Sequence, residues 1–258
     1  MTMTTALRLQ PVSGRIGVEV LDADIDDLLA NGPATAELRE ALLEHLVVVL
    51  RRLVPTPEQH LALGRIFGEI EPPEAYNPQH PDHPGICVFD SEGGYKADGW
   101  HADVTWKDVI PLGAVLCMRI NPPTGGDTVW TNCHAAYDDL SNGMKKLLVG
   151  RRARHDISPE HFVEHPVVVT HPETGRKLLF VNEIFTRRIT NLPPAESAAI
   201  LPFLIRHVSR PEFTYRHRWQ VGDVVIWDNR ATQHYALFDF DGRRLVHRVG
   251  IAGGRPSA

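Results

Sequence analysis

The chain has 258 residues, 43% of them hydrophobic, which is enough for one large core without a second domain. Its 27 Lys and Arg against 32 Asp and Glu give a formal net charge of -5. The chain therefore lacks the basic excess typical of proteins that bind nucleic acid or anionic membranes. We therefore expect a single domain over residues 1–258 that acts on a small molecule, with no nucleic acid and no membrane as partner.

The cysteines and the N-terminal segment indicate the compartment. Cys87, Cys117 and Cys133 are widely spaced and form no Cys-x-x-Cys pair, so neither a disulfide framework nor a thiolate zinc site is predicted, and we expect buried, reduced thiols. Residues 1–20 lack a basic stretch followed by an apolar one, and no apolar run reaches the roughly 18 residues that span a bilayer. These features predict a cytoplasmic protein.

The first part of the chain predicts helices and isolated strands. Apolar residues at helical spacing predict a helix over 34–46, and the β-branched run at 47–50 predicts a strand. The segment from Thr56 to Gln59 has the residue types of a capping box with proline at the first helical position, so a helix is expected to begin there. Residues 71–99 are rich in proline, glycine and acids, which predicts a long functional loop region with one short strand, at 86–89.

Short strands dominate the remaining sequence. Two further helices are predicted, at 134–148 and at 195–208, and a turn at 172–175. Strand patterns occupy 113–120, 127–130, 166–170, 213–219, 224–227 and 245–251. Many short strands with a few peripheral helices predict a mostly β fold, a sandwich or jelly roll, and not a parallel α/β sheet.

One His-x-Asp pattern is the first candidate for a metal site. Residues i and i+2 of a strand face the same way, so His101 and Asp103 can present an imidazole and a carboxylate to one cation. In a chain with 14 histidines and 32 acids the pattern arises by chance roughly twice, and two more copies begin at His80 and His171. Those copies have proline between the candidate ligands and are interpreted as loops. The aromatic-flanked segment 100–106 favours His101.

The second imidazole is expected from His234, which follows the buried strand 224–227 and a polar turn at 228–230. Two imidazoles and one carboxylate on one face of Fe(II) leave positions for a co-substrate and O2, as in non-haem oxygenases. Zn(II) would accept the same ligands and activate water, so a metal-dependent hydrolase stays open as an alternative. A jelly-roll binding protein without catalysis is the other alternative.

Two arginines are candidates for binding carboxylates. Strand alternation in the segment 243–248 points Arg244 and Arg248 to one face, so both guanidiniums could enter the same cavity, one for the co-substrate and one for the substrate. A solvated face on which they pair with Asp239 or Asp241 is the alternative.

Five ordered motifs resemble the taurine dioxygenase (TauD/TfdA) family of Fe(II)/2-oxoglutarate-dependent dioxygenases. They are WHADVTW (100–106), GGDTVW (125–130), FVNEIFTRRI (180–189), WDNRATQHYA (227–236) and RRLVHR (243–248). The similarity extends from about Leu7 to Ile251. It implies a double-stranded β-helix, which is a jelly roll, and the use of Fe(II), 2-oxoglutarate and O2. It also leaves a homo-oligomer to be expected, since family members are commonly dimers or tetramers.

The resemblance assigns roles to residues at the metal and co-substrate. The family's iron ligands match His101, Asp103 and His234. The residues that bind 2-oxoglutarate match Thr128 and Arg244, the arginine making a planar two-point contact with the distal carboxylate. Asp103 argues against the halogenase variant of such sites, in which a small residue replaces the carboxylate.

The resemblance also suggests the kind of substrate. Arg248 matches the arginine that holds the sulfonate in taurine dioxygenase, so an anionic substrate is expected. Tyr76, Trp106 and Phe185 match positions of the substrate pocket, although Phe185 is equally explained by core packing. The implied reaction hydroxylates a small sulfonate, sulfate ester or carboxylate, with C–X cleavage where the carbon bears a heteroatom, and gives succinate and CO2.

Some substrate positions depart from taurine dioxygenase. Its histidine donor aligns with Pro73 and its asparagine with Ala97, so taurine is not the expected substrate. The segment from Asp156 to His165 is shorter than the corresponding lid, which favours a bulkier or less enclosed substrate.

Overall fold

The computed structural model describes residues 7–94 and 98–258, which contain six α-helices, two short 3-10 helices and fifteen strands. The α-helices are α1 (Ile25–Leu29), α2 (Pro33–His45), α3 (Pro57–Arg65), α4 (Cys133–Asp139), α5 (Asn142–Leu148) and α6 (Pro194–Val208). The strands are β1 (Arg8–Pro11), β2 (Val18–Leu21), β3 (Val47–Leu50), β4 (Ile86–Asp90), β5 (Gly113–Ile120), β6 (Thr128–Asn132), β7 (Arg152–Asp156), β8 (Phe162–Pro166), β9 (Val168–Thr170), β10 (Lys177–Leu179), β11 (Thr186–Ile189), β12 (Thr214–His217), β13 (Val224–Asp228), β14 (Thr232–Ala236) and β15 (Leu245–Ile251).

Seven strands form the larger sheet, in the order β1-β2-β3-β13-β5-β15-β4. Its pairs are antiparallel except β2 with β3. Every residue of β3 and β13 is buried, which explains why these strands are continuous apolar runs in the sequence instead of alternating patterns. The strands predicted at 47–50, 113–120 and 245–251 are confirmed with those bounds.

A three-stranded sheet, β12-β6-β14, faces the larger sheet across the main core. The indole rings of Trp130 on β6 and Trp227 on β13 lie 5.9 Å apart between the two sheets. Alternation along β6 and β14 places Thr128, Trp130 and His234 on the inner face, where they line a cavity. The predicted mostly β fold with peripheral helices, a jelly roll, is confirmed by this arrangement.

Helices α1 to α3 cover the outer face of the larger sheet and form a second core with it. Leu38 and Leu42 of α2 and Leu63 of α3 pack there with the outward side chains of the sheet. The predicted capping box opens α3: the Thr56 hydroxyl accepts a hydrogen bond from the Gln59 N–H, and the Gln59 side chain accepts one from the Thr56 N–H. The sheet is thereby covered on both faces.

Two local predictions are wrong. The helix expected at 134–148 is divided into α4 and α5, because the Ser141 hydroxyl accepts a hydrogen bond from the Met144 N–H and starts a new helix. The strand expected at 166–170 is divided at Val167, so β8 ends there and β9 begins a separate hairpin with β10.

The three cysteines are buried and free, as their spacing predicted. In residues 7–94 and 98–258 no helix combines the length and the apolar character needed to cross a membrane.

Candidate metal centre and its cavity

Three side chains bring their donor atoms together inside the cavity between the sheets. Nε2 of His101 lies 3.7 Å from Oδ1 of Asp103, and Nε2 of His234 lies 3.8 Å from the same oxygen. The three donor atoms lie within 4.8 Å of one another, and in the described part of the chain no other group of His, Cys, Asp or Glu forms such a cluster.

The backbone joins the two histidines directly. The His101 N–H donates to the His234 carbonyl over 3.1 Å, and the His234 N–H donates to the His101 carbonyl over 2.7 Å, which makes an isolated antiparallel bridge. The expectation that His101 and Asp103 share a strand is wrong, since the chain turns at residues 103–106. His234 lies within β14 and not at the end of the preceding strand.

The surroundings favour forms of these groups that can bind a metal. Nδ1 of His101 lies 2.8 Å from the Gly99 carbonyl, which can only accept, so Nδ1 carries the proton and Nε2 presents its lone pair. Burial lowers the pKa of His234 to about 3, and nearby His101 adds to this effect. Burial would raise the pKa of Asp103, but Arg248 and the two imidazoles hold it at about 2. Two imidazoles and one carboxylate fit a single divalent cation.

Arg248 contacts the other oxygen of the same carboxylate. Its Nη2 donates to Oδ2 of Asp103 over 2.8 Å, while Oδ1 faces the two imidazoles. Arg248 of β15 and Arg244, which immediately precedes that strand, both line the cavity, so the structure places both guanidiniums inside the fold and not on a solvated surface.

The lining of the cavity also includes a buried cation, Arg244. Arg244 is 9% exposed, and its Nε donates to the Gly126 carbonyl over 3.0 Å. None of the acidic side chains in the described ranges forms an ion pair with it. Burial lowers the pKa of Arg244 to about 10, an effect that Asp127 only partly opposes. A buried guanidinium without an acid partner is unfavourable unless an anion enters the cavity beside it.

Thr128 lines the cavity together with Arg244, and a hydrogen bond from a buried indole orients its hydroxyl. Nε1 of Trp219 donates to Oγ1 of Thr128 over 3.0 Å. Because an indole N–H only donates, the hydroxyl accepts from it and keeps its own hydrogen for an acceptor in the cavity. No sequence pattern indicated this contact, since a strand pattern does not show which buried indole faces which hydroxyl.

All nine residues singled out from the sequence line one open cavity. They are His101, Asp103, His234, Thr128, Arg244, Arg248, Tyr76, Trp106 and Phe185. Tyr76 is 66% exposed and therefore lies at the mouth. The remaining wall is mostly apolar, with Phe89, Val104, Leu116, Phe238, Phe240 and Val246 among its residues. Pro73 is not part of this lining, and Ala97 falls outside the described residues.

Both carboxylates among the described lining residues of the cavity form ion pairs with arginines. The two acids there are Asp103, which accepts from Arg248, and Asp90, which pairs with Arg243 at 2.6 Å. A cationic group of a ligand would find both acids already paired, whereas an apolar chain would meet most of the wall.

The two other His-x-acid copies lie outside this cavity. His80 belongs to a loop, as predicted, and its Nδ1 accepts from the Asp82 N–H. His171 starts the predicted turn but is also 1% exposed, and its Nε2 lies 3.0 Å from Oδ2 of Asp228. Its partner acid, Glu173, pairs with Arg230 at 2.7 Å. Reading His171 as loop alone was therefore incomplete.

Comparison with known proteins extends over nearly the whole chain. The sequence model described as "Taurine catabolism dioxygenase TauD, TfdA family" matches residues 8–249. An alkylsulfatase from Acinetobacter baylyi is 35% identical over 280 residues, covering 97% of this chain and 86% of that protein. An alpha-ketoglutarate-dependent sulfate ester dioxygenase from Pseudomonas putida is also 35% identical, covering 97% of this chain and 91% of that protein. The crystal structure of a taurine dioxygenase from Burkholderia xenovorans has a TM-score of 0.90 at 36% identity, covering 98% of this chain and 91% of that chain.

Proposed function

The chain belongs to the TauD/TfdA family, and on that premise we propose that it oxidises a small organic anion with an apolar chain, a sulfate ester before a sulfonate or carboxylate. As a member of this family it is a non-haem Fe(II)/2-oxoglutarate-dependent dioxygenase that consumes O2 and forms succinate and CO2. Membership disfavours the hydrolase and the non-catalytic binding protein that the sequence left open. The observation that carries the proposal is a single cavity holding both a cation site and a buried, acid-free Arg244.

We assign Fe(II) to His101, Asp103 and His234, whose donor set supports that cation. When bound, Fe(II) would supply the chemistry that activates O2. The protein's contribution is orientation: the Gly99 carbonyl fixes the imidazole of His101, and Arg248 holds one oxygen of Asp103 away from the metal side.

We assign Arg244 and Thr128 to the distal carboxylate of 2-oxoglutarate. A guanidinium presents parallel N–H donors that match a carboxylate in a two-point contact. The Thr128 hydroxyl, which accepts from Trp219, can donate to the same carboxylate. A dianionic co-substrate would thereby supply the anion that the buried Arg244 needs.

We assign Arg248 to the anionic group of the substrate. Its guanidinium carries five N–H donors, so a contact with Asp103 is compatible with a contact to a sulfate or carboxylate oxygen. Trp106, Phe185 and Tyr76 would then enclose the apolar chain, whose burial contributes about 0.8 kcal/mol per CH2 group.

The pairing of the cavity's acids favours an alkyl sulfate over taurine. Taurine carries an ammonium group, and Asp90 and Asp103 are already engaged by arginines. Hydroxylation of the carbon next to an ester oxygen gives a product that collapses to a carbonyl compound and releases sulfate. Sulfate esters are also the substrates named for the relative from Pseudomonas putida.

We further propose that residues 1–258 act as one catalytic domain in the cytoplasm, where the buried thiols of Cys87, Cys117 and Cys133 stay reduced. A homo-oligomer, dimer or tetramer, is carried over from the family. No nucleic-acid or membrane partner is part of the proposal.

The test is a substrate screen with the Fe(II)-loaded protein. Succinate and sulfate are measured with alkyl sulfates of increasing chain length, taurine, phenoxy acids and simple carboxylates. We expect alkyl sulfates to stimulate succinate formation, one sulfate to appear per succinate, and longer chains to lower KM. Stimulation by taurine but by no sulfate ester would contradict the proposed substrate.

Arg248→Ala and Arg255→Ala form a matched pair in the same screen, because Arg255 also donates its Nη2 to an aspartate over 2.8 Å, that of Asp108, but is exposed and does not line the cavity. We expect the first variant to raise the KM for alkyl sulfate and the second to leave it unchanged. Equal KM values in both variants would remove Arg248 from the substrate site.

A further inference from the structure

The buried side chain of Asn229 forms hydrogen bonds with the backbone of Asp103, the proposed metal ligand. Asn229 has 0% exposed surface and lies in the turn between β13 and β14. Its Oδ1 accepts a hydrogen bond from the Asp103 N–H over 2.7 Å, and its Nδ2 donates to the Asp103 carbonyl over 3.1 Å. Nδ2 also lies 3.3 Å from the Pro111 carbonyl, to which it donates. The side chain therefore binds both backbone polar groups of Asp103, as a neighbouring strand would.

The backbone needs this support because the next residue is strained. Val104 has a φ of 58°, a left-handed conformation that β-branched residues rarely adopt. Such a conformation persists only where the surrounding contacts determine it. On its far side the chain is held at Thr105, whose hydroxyl accepts from Nδ2 of Asn182 over 3.0 Å. Asn229 supplies the hold on the near side, at the residue whose carboxylate faces the two imidazoles.

We propose that Asn229 is a positioning residue of the metal centre. It fixes the Asp103 backbone so that Oδ1 points to His101 and His234 despite the strain at Val104. Because Asn229 belongs to the segment that leads into β14, one stretch of chain sets the positions of both Asp103 and His234. The inference rests on the proposed function, since it takes Asp103 as a metal ligand.

A purely structural asparagine makes a different prediction, and Asn132 provides the comparison. Asn132 is 5% exposed, its Nδ2 donates to the Arg15 carbonyl over 2.7 Å, and its Oδ1 accepts from the Ala135 N–H over 3.0 Å. It thus binds backbone groups in the same manner as Asn229, but neither of its two partners is a candidate metal ligand.

The experiment titrates the metal-free protein with Co(II) and follows the visible absorption of the bound ion, while thermal melting is recorded separately. Removing groups that orient metal ligands typically costs about 10- to 100-fold in metal affinity, so we expect Asn229→Ala to raise the Kd for Co(II) by that factor. Asn132→Ala is expected to lower the Tm and to leave the Kd unchanged. An Asn229→Ala protein that melts earlier but binds Co(II) like wild type would overturn the proposal.

Two further variants keep the test decisive if Asn229→Ala does not fold. Asn229→Asp retains the shape and can accept from the Asp103 N–H, but it cannot donate to the Asp103 carbonyl, so we expect weaker Co(II) binding here as well. Val104→Gly relieves the strain, because glycine adopts a positive φ readily. Added to either Asn229 variant, it is expected to recover about tenfold in Kd; no recovery in a folded protein would overturn the role of strain.

The result with wild-type protein separates this inference from the proposed function. If wild-type protein bound no Co(II), the metal site and the proposed function would fail together. If wild type bound Co(II) and all Asn229 variants matched it, only the positioning role would fail.

Discussion

The segments His101–Asp103 and His171–Glu173 have the same His-x-acid pattern, and both histidines are buried, at 6% and 1% exposure. In the first segment the two donors meet His234 at one side of a cavity. In the second, the imidazole lies 3.0 Å from Asp228 and the carboxylate 2.7 Å from an arginine, so both groups already have partners in the protein. Spacing and burial therefore do not distinguish the two segments. They differ in whether the donor atoms converge on a cavity, which makes only the first a candidate metal site.

We expect the largest loss of activity from a substitution in the segment His101–Asp103. His101→Ala removes one of three donors, and since a catalytic metal supplies several kcal/mol we expect succinate formation to fall at least about 1000-fold. Co(II) titration should show the same loss. The paired variant His171→Ala is expected to keep both metal binding and turnover in its folded fraction. Metal binding that depended on His171 and not on His101 would reverse the assignment.

The second prediction extends the comparison to arginines. Arg244 has no acid partner among the described residues, whereas Arg230 pairs with Asp228 and Glu173. Removing one member of a buried, hydrogen-bonded charge pair costs about 2–5 kcal/mol, so Arg244→Ala is expected to raise the KM for 2-oxoglutarate about 100-fold. Co(II) affinity should stay the same. An unchanged KM would show that the co-substrate does not use this guanidinium.

The third prediction tests whether His171, in the segment His171–Glu173, has a structural role. His171→Ala removes a buried partner of Asp228, which still accepts three hydrogen bonds from Arg230, so we expect a loss of about 2 kcal/mol in the free energy of unfolding. Urea denaturation of the metal-free protein measures it. A variant as stable as wild type would show that the His171–Asp228 contact contributes nothing to the fold.

The smallest expected effect concerns an orienting contact. Trp219→Phe leaves the Thr128 hydroxyl without its indole donor, which at about 1 kcal/mol corresponds to a roughly fivefold higher KM for 2-oxoglutarate. Thr128→Val is expected to have an effect of its own, and the double variant should be no worse than Thr128→Val alone. Strictly additive effects would mean that Trp219 does not act through Thr128.

The sequence predicted elements whose residues are uniform in character. The β-branched run of β3, the apolar β5 and the capping box of α3 are local signals, and the structure follows them. Strand β14 was missed because Thr232 to Ala236 lack an apolar pattern: their inner positions face the cavity, and pairing with β6 holds them in place. The break before α5 depends on one serine, which a periodicity argument overlooks.

The residues of the candidate site could be named from the sequence, but their geometry could not. Five motifs in order pointed to His101, Asp103 and His234. The turn at Val104 and the hydrogen bonds of Asn229 with the Asp103 backbone could not be predicted from the sequence. The hydrogen bond from Asp103 to Asn229 joins residues 126 positions apart, and the one from Arg248 to Asp103 joins residues 145 positions apart. Contacts at such separations exist only once the two sheets face each other.

Arg244, which forms no ion pair with an acidic side chain of the described residues, also affects the net charge of the cavity. Asp103 pairs with Arg248, and Asp90 of the lining pairs with Arg243, which lies outside it, so these five residues together carry one net positive charge, at Arg244. A divalent cation, a dianionic 2-oxoglutarate and a monoanionic sulfate ester, bound as proposed, would together add one negative charge and bring this sum to zero. A zwitterion or a dianion in place of the substrate would leave a net charge beside buried groups, which is unfavourable. This charge balance is a further reason to expect a monoanionic substrate.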